Sequence, residues 1–254
     1  MALAVDLSGR VAVVTGGTRG IGLGVTRALI EAGARVVTCS RSDVEPVPGT
    51  THRVCDVRDP EAVQALVGSL DRLDILVNNA GGAPAADAAT ASPRFHDKVV
   101  GLNLLAPLVC AQAANAVMQQ QDSGGAIVNI SSVSAHRPAP TIAAYGAAKA
   151  GLDSLTTSLA MEWAPRVRVN SIDVGLCRTE QTDDHYGDDA SVAAIEGTIP
   201  LGRMARPEEV GNVAAFLASD LASYVSGAIV ACHGGGETPA FLVVQKNLLE
   251  QKEL

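Results

Sequence analysis

Val11-Ala12-Val13-Val14-Thr15-Gly16-Gly17-Thr18-Arg19-Gly20-Ile21-Gly22 is the stretch from which the rest of the chain can be read. Its first four residues are apolar without interruption, as in a strand buried on both faces. Glycines end the run at once, and Ile21, Val25, Ala28, Leu29 and Ala32 then recur at helical spacing until Gly33. Strand, glycine turn and helix in that order let a phosphate approach main-chain N–H groups at the positive end of a helix. The glycines stand at 16, 20 and 22, which is not the common G-x-G-x-x-G spacing. Taken alone the motif is therefore weak, and a turn that merely packs helix on strand is its plain alternative.

Working outward, the same alternation continues. Arg35–Thr38 reads as a second strand, and a loop from Val44 to Thr51 leads to a third at Arg53-Val54-Cys55. Asp59 caps a helix that has Pro60 at its first position, and Leu73–Val77 is a fourth strand. Ser92-Pro93 opens a long helix through Val117, followed by a strand at Ala126–Ile130 and a helix from Ile142 to Trp163. Val167–Ile172, a helix from Arg206-Pro207 toward Leu217, and Ala228–Ala231 complete the series. Strands apolar on both faces, alternating with helices, predict an α/β fold with a parallel sheet covered on both sides. With no internal repeat and no linker, residues 1–254 read as a single domain, of which 237–254 form a C-terminal extension.

Composition narrows the function. The chain has 254 residues, 47% hydrophobic and 18% charged, which is ample for a buried core and unlike a disordered chain. Its net charge of −8 argues against nucleic acid as a partner, since phosphate binding needs a basic face. No apolar run of membrane-spanning length and no signal-peptide layout is read, so a cytoplasmic protein without a membrane partner is expected. Five scattered cysteines without a C-x-x-C suggest a reduced set, and the five histidines show no ligand spacing, so no metal is expected.

Further motifs stand downstream of the turn: Asn78-Asn79-Ala80-Gly81 after the fourth strand, Asn103, Ser132, Tyr145-x-x-x-Lys149, and Pro200-Leu201-Gly202-Arg203 with Pro207-Glu208-Glu209-Val210. In their order and spacing, from about Leu7 to Gly236, they resemble the single-domain branch of the short-chain dehydrogenase/reductase family. The resemblance implies a Rossmann-type three-layer fold, a seven-stranded parallel sheet of order 3-2-1-4-5-6-7, nicotinamide hydride transfer and often a tetramer. It places Asn103, Ser132, Tyr145 and Lys149 as the catalytic tetrad. Against the cofactor it places Gly16, Thr18, Arg19, Gly20, Ile21, Gly22, Ser40, Arg41, Asp56, Val57, Asn79, Ala80 and Gly81, together with Tyr145, Lys149, Val174, Gly175 and Thr179. Asp56 looks like the adenine contact, and Asn103 resembles the residue that holds a water linking the lysine to solvent.

The residues themselves say what such a site could do. An acid at the end of the second strand would accept from the adenosine ribose and repel a 2′-phosphate. Here Ser40 takes that place, and Arg41 and Arg19 can offer planar donors to a phosphate. NADP is favoured, with NAD the alternative. Tyr145 and Lys149, four apart in a helix, share one face. An ammonium beside a phenol, and the positive nicotinamide, both lower the phenol's pKa toward the range useful for proton exchange. Ser132 would hold the same substrate oxygen polarised.

The chain also departs from the family pattern. Val174-Gly175 replaces the usual Pro-Gly, and Cys232-His233-Gly234-Gly235 replaces Val-Asp-Gly-Gly, a change expected to touch a subunit contact. Leu176–Ile199 occupies the place of a substrate lid, with Asp183-Asp184-His185-Tyr186-Gly187-Asp188-Asp189 polar and flexible in outline. The two aspartates favour a neutral, partly apolar ketone or alcohol as substrate. Beyond Gly236, Phe241, Leu242, Leu248 and Leu249 lie among charges, as a mobile arm or as a cover on a neighbour. Leu102, Leu104, Leu105, Leu108 and Val109, with Ala143, Ala144, Ala147, Ala148 and Ala150 of the next helix, offer apolar surface for a homo-oligomer, dimer or tetramer. A non-catalytic NADPH-binding sensor is the alternative from another class.

Overall fold

The structure, a computed structural model, describes residues 4–182 and 186–250. Seven strands, β1 (Val11–Thr15), β2 (Arg35–Ser40), β3 (Thr50–Val54), β4 (Ile75–Asn78), β5 (Gly125–Ile130), β6 (Val167–Val174) and β7 (Ile229–Cys232), form one sheet. Its order is β3-β2-β1-β4-β5-β6-β7 and every pairing is parallel, as the resemblance implied. The third strand starts earlier than its sequence suggests. Thr50 and Thr51 pair with Val36 and Val37, and an edge strand half open to solvent needs no apolar run to form.

The strand interior explains the unbroken apolar runs. Ala12 and Val14 pack on one face of the sheet, against Val25 and Leu29 of α1 (Gly20–Glu31) and Val210 and Ala214 of α7 (Pro207–Ala218). Val13 points the other way, into a second core with Val63 and Leu66 of α2 (Pro60–Gly68). Ala111 and Met118 of α4 (Ala106–Met118) and Leu159 of α5 (Ala143–Glu162) join it there. Every second residue of a strand serves a different layer. The caps form as read: Asp59 accepts from the N–H groups of Glu61 and Ala62, and Ser92 from that of Phe95.

Where α1 and α7 cross, their backbones touch. A Cβ at Gly24 would run into the Pro207 carbonyl, and one at Gly211 into the Gly24 carbonyl. On the opposite face, α5 is tied to the sheet by buried polar contacts. Asn78 Nδ2 donates to Asn129 Oδ1 at 2.9 Å, Asn129 Nδ2 to Thr156 Oγ1 at 2.9 Å, and Ser171 Oγ to Asp153 Oδ1 at 2.8 Å. These bonds fix the helix that carries Tyr145 and Lys149.

Two expectations about helices are corrected. The long helix is continuous from Pro93 to Met118, but α3 (Pro93–Val100) and α4 are joined by a π-helical turn, Gly101–Leu105, where one extra residue per turn is accommodated. Those 26 residues, with mean hydropathy 1.5 in their most apolar window, are also long and apolar enough to cross a membrane, contrary to the sequence reading. Here the apolar face is spent on the sheet, through Ala106, Cys110, Ala111, Ala114 and Met118. The remaining helices are α6 (Asp189–Glu196) and α8 (Ala240–Glu250), the latter making the C-terminal extension helical with Phe241 and Val244 exposed.

Candidate active site

A cleft of about 390 Å³ opens at the carboxyl ends of the central strands. The glycine turn forms its floor. Gly16 has a φ of +63°, and a Cβ at Gly22 would collide with the Gly16 carbonyl, so the helix can begin this close to the strand only without side chains. The Asn78-Asn79-Ala80-Gly81 motif locks the turn from the next strand. Asn79 Nδ2 donates to the carbonyls of Thr15 (2.9 Å) and Gly16 (3.0 Å). Thr15 Oγ1 accepts from the N–H groups of Asn79 and Ala80, both at 3.0 Å. At the mouth of α1, Gly20 N–H donates to the Glu180 carboxylate at 3.0 and 3.2 Å. An anion is thus already accepted where a phosphate is expected, which is the test that the turn fits a dinucleotide.

At the far end Ser40, Arg41, Asp56, Val57 and Arg19 all line the same cleft. The Ser40 hydroxyl donates to the Ser42 carbonyl at 2.8 Å, while Arg19 and Arg41 are exposed at the rim. Asp56 is held by Arg58, whose Nε and Nη2 reach it at 3.0 and 2.6 Å, and this pairing keeps the Asp56 carboxyl below its usual range.

Ser132, Tyr145 and Lys149 converge on the other end, with Thr179, Val174 and Gly175 opposite. Ser132 and Tyr145 line the same end of the cleft, and Lys149 Nζ lies 5.6 Å from the centre of the tyrosine ring. Burial pushes the phenol up, with the neighbouring Ser132 hydroxyl working the other way; the sequence reading had only a lowering. Lys149 is buried and donates to the Ile130 carbonyl at 2.7 Å. Burial brings its ammonium down to about 8, against the pull of Asp153 and Asp173. Asn103 is the one tetrad residue that does not line the cleft. Fully buried in the π turn, it accepts from Gly82 N–H at 2.8 Å and donates to the carbonyls of Gly82 (3.0 Å) and Val99 (2.9 Å). It stands behind Gly81, where a Cβ would sit 2.8 Å from Asn103 Oδ1 and 3.5 Å from Lys149 Nζ.

Comparison with known proteins agrees with this geometry. The family profile described as enoyl-(acyl carrier protein) reductase matches residues 16–237. The 3alpha-hydroxysteroid dehydrogenase of Mediterraneibacter gnavus is 35% identical over 249 residues, covering 91% of this chain and 98% of its own. The 2-dehydro-3-deoxy-D-gluconate 5-dehydrogenase of Pseudoalteromonas atlantica is 37% identical, covering 91% and 96%. The chain is a short-chain dehydrogenase/reductase. It is an NAD(P)-dependent oxidoreductase of the kind that interconverts alcohols and ketones. Among solved structures, one described as an NAD(P)-dependent gluconate 5-dehydrogenase from Beutenbergia cavernae, with NADP bound at low occupancy, superposes with a TM-score of 0.84 at 37% identity. The match covers 91% of this chain and 98% of that one.

Within this short-chain dehydrogenase/reductase the departures take definite places. Val174 continues β6 in register with Cys232, and Gly175 N–H donates to the Cys232 carbonyl at 3.1 Å. His233 crowds Gly175 and lines a small side cavity of about 40 Å³ with Val133, Leu176, Ile199 and the Arg137–Glu237 pair. An effect of this change on a subunit contact remains the expectation from the sequence. Asp183, Asp184 and His185 lie outside the described residues. The rest of the segment read as a polar lid has its own apolar anchor, since Val192, Ile199 and Met204 pack with Leu176, Tyr186 and Ile195. Cleft residues missed in the sequence include Cys39, Cys55, Arg58, Gly82, Leu102 and Glu180. Only Arg58, two residues past Asp56, had a local signal. Also missed was a cluster of His136, Asp153 and Asp173 next to Lys149, whose members are too far apart in sequence to show ligand or ion-pair spacing.

Proposed function

We propose that this oxidoreductase prefers NADP, acts on a neutral, partly apolar secondary alcohol or ketone, and works as a homo-oligomer. The observation that carries the reading is the convergence of Ser132, Tyr145 and Lys149 at one end of a cleft whose other end is lined by Arg19, Arg41 and Ser40. No carboxylate stands at position 40 to repel a 2′-phosphate, and Asp56, which lines the same cleft, is already engaged by Arg58. On the substrate side the cavity beside Gly175 is walled by Val133, Leu176 and Ile199, and its one arginine is neutralised by Glu237 at 2.8 Å. That wall suits an uncharged group.

When bound, the nicotinamide cofactor supplies the hydride acceptor or donor. The glycine turn and the N-terminus of α1 would hold its phosphates, and Asn79 and Ala80 keep the turn in shape. The Tyr145 phenol gives its proton to the carbonyl oxygen in reduction and takes it back from the alcohol in oxidation. Ser132 donates to the same oxygen and fixes its position. Lys149 offers its ammonium to ribose hydroxyls and favours the phenolate when Tyr145 has lost its proton.

Initial rates with NADPH and NADH across ketones, steroids, sugars and acyl thioesters test the reading. Faster turnover with NADPH on uncharged ketones is expected. Arg41→Ala is expected to weaken NADP binding by about tenfold to a hundredfold and leave NAD nearly unchanged. Equal losses for both cofactors would remove Arg41 from the 2′-phosphate.

A further inference from the structure

Beneath Tyr145 and Lys149 lies a group of charges that the reaction so far leaves idle. Asp153 stands one helical turn beyond Lys149 on α5, and Asp173 projects from β6; each is 4% exposed. His136, in the turn after β5, reaches between them from the surface. Its Nε2 is 2.7 Å from Asp173 Oδ2 and 3.2 Å from Asp153 Oδ2, while its side chain stays 55% exposed. Ser171 Oγ donates to Asp153 Oδ1 at 2.8 Å, and Asp173 Oδ1 has no hydrogen-bond partner.

Two carboxylates this close and this buried repel each other. Burial and Asp153 push Asp173 up to about 6, and His136 works against that rise. The same two carboxylates favour the charged form of Lys149, whose burial would otherwise strip its proton. Two carboxylates and one buried ammonium leave the group one positive charge short of neutrality, and His136 Nε2 stands where a cation would supply it.

We infer that Asp153, Asp173 and His136 are positioning residues for Lys149: the two buried carboxylates keep it an ammonium, and the half-exposed imidazole keeps the carboxylates ionised from the solvent side. The inference rests on the reading of Lys149 given above and adds a route by which solvent acts on it. At 2.7 Å, His136 Nε2 and Asp173 Oδ2 are within ion-pairing distance. A divalent cation at the same place would face the Lys149 ammonium. Among the described residues, Lys149 faces the two carboxylates from α5, and Tyr145 lies past it, with its ring centre 5.6 Å from Lys149 Nζ. Tyr186 lies beyond Tyr145, and Arg137 and Glu237 beyond that.

The chain contains four lysines, so the ε-carbon signals of ¹³C-lysine protein are few, and Lys149 is assigned by its loss in Lys149→Met. Wild type is expected to titrate near the value of about 8 set by burial. Asp153→Asn and His136→Gln are each expected to lower that midpoint by about one unit or more. The alkaline limb of kcat/KM should fall by the same amount, so the variants approach wild-type activity at lower pH. His136→Arg, which restores a cation, is expected to return both readouts to wild type. His136 lies at the surface, so its variants test the inference even if Asp153→Asn fails to fold.

A midpoint that stays within about 0.3 unit in His136→Gln, or activity lost equally at every pH, overturns the inference. So does broadening of the Lys149 signal by micromolar Mn²⁺, which would make the cluster a cation site. Shifted midpoints without turnover on either cofactor would sink the functional reading and leave this one standing. Turnover with an unmoved midpoint would do the reverse.

Discussion

One oxygen atom carries the chemistry proposed for this chain. Tyr145→Phe keeps the ring that lines the cleft and removes the hydroxyl at the Ser132 end of it. Turnover is expected to fall by about a hundredfold to ten-thousandfold, with NADP affinity and melting temperature nearly unchanged. Steady-state rates beside a fluorescence titration check it, and a loss below about tenfold would dismiss Tyr145 as the acid. This pair was legible because four residues in a helix bring two side chains to one face whatever the rest of the chain does. The direction of the Tyr145 shift was not, since burial is a property of the whole fold. His136, Asp153 and Asp173 were invisible for a related reason: three separate elements have to assemble before their charges meet.

The strand–turn–helix unit could be read from twelve consecutive residues, because local sterics decide it. Its partner could not. Glu180 is far along the chain, and only the loop after β6 brings its carboxylate to the Gly20 N–H. A phosphate must displace that carboxylate, so Glu180→Gln is expected to tighten NADP binding about threefold to tenfold. Calorimetric titration would show it, and unchanged or weaker binding would mean that the carboxylate and the phosphate do not compete. The π turn at Gly101–Leu105 was equally hidden. Hydrophobic spacing reads as one helix across it, and an extra residue in a single turn leaves too small a phase shift to detect in so apolar a run.

At the scale of the molecule, strand order was available through family resemblance and the parallel sheet through the apolar runs. Which helical surface stays uncovered is something only the packed chain displays. On the α4–α5 side, Leu105 is 53% exposed and Met161 83%, beside the exposed Ala147 and Ala150. Apolar surface of that kind is expected to be buried against a second copy. Light scattering at micromolar concentration should give a multiple of the 25.9 kDa chain mass, four being expected, and the mass of a single chain would refute the assembly.

The crossing of α1 and α7 has a mechanical consequence. Side chains between two helices act as a cushion, since rotamers can absorb small displacements before a backbone moves. Gly24 and Gly211 leave no cushion. Any shift of α7 is therefore delivered directly to α1, whose first residue, Gly20, gives its N–H to Glu180. α7 is clamped in turn to the segment after the lid, where Arg203 bonds Glu209 at 2.6 and 2.8 Å. Glycine turn, helix pair and the Arg203 segment are thus coupled as one lever, with its fulcrum at a joint two glycines wide.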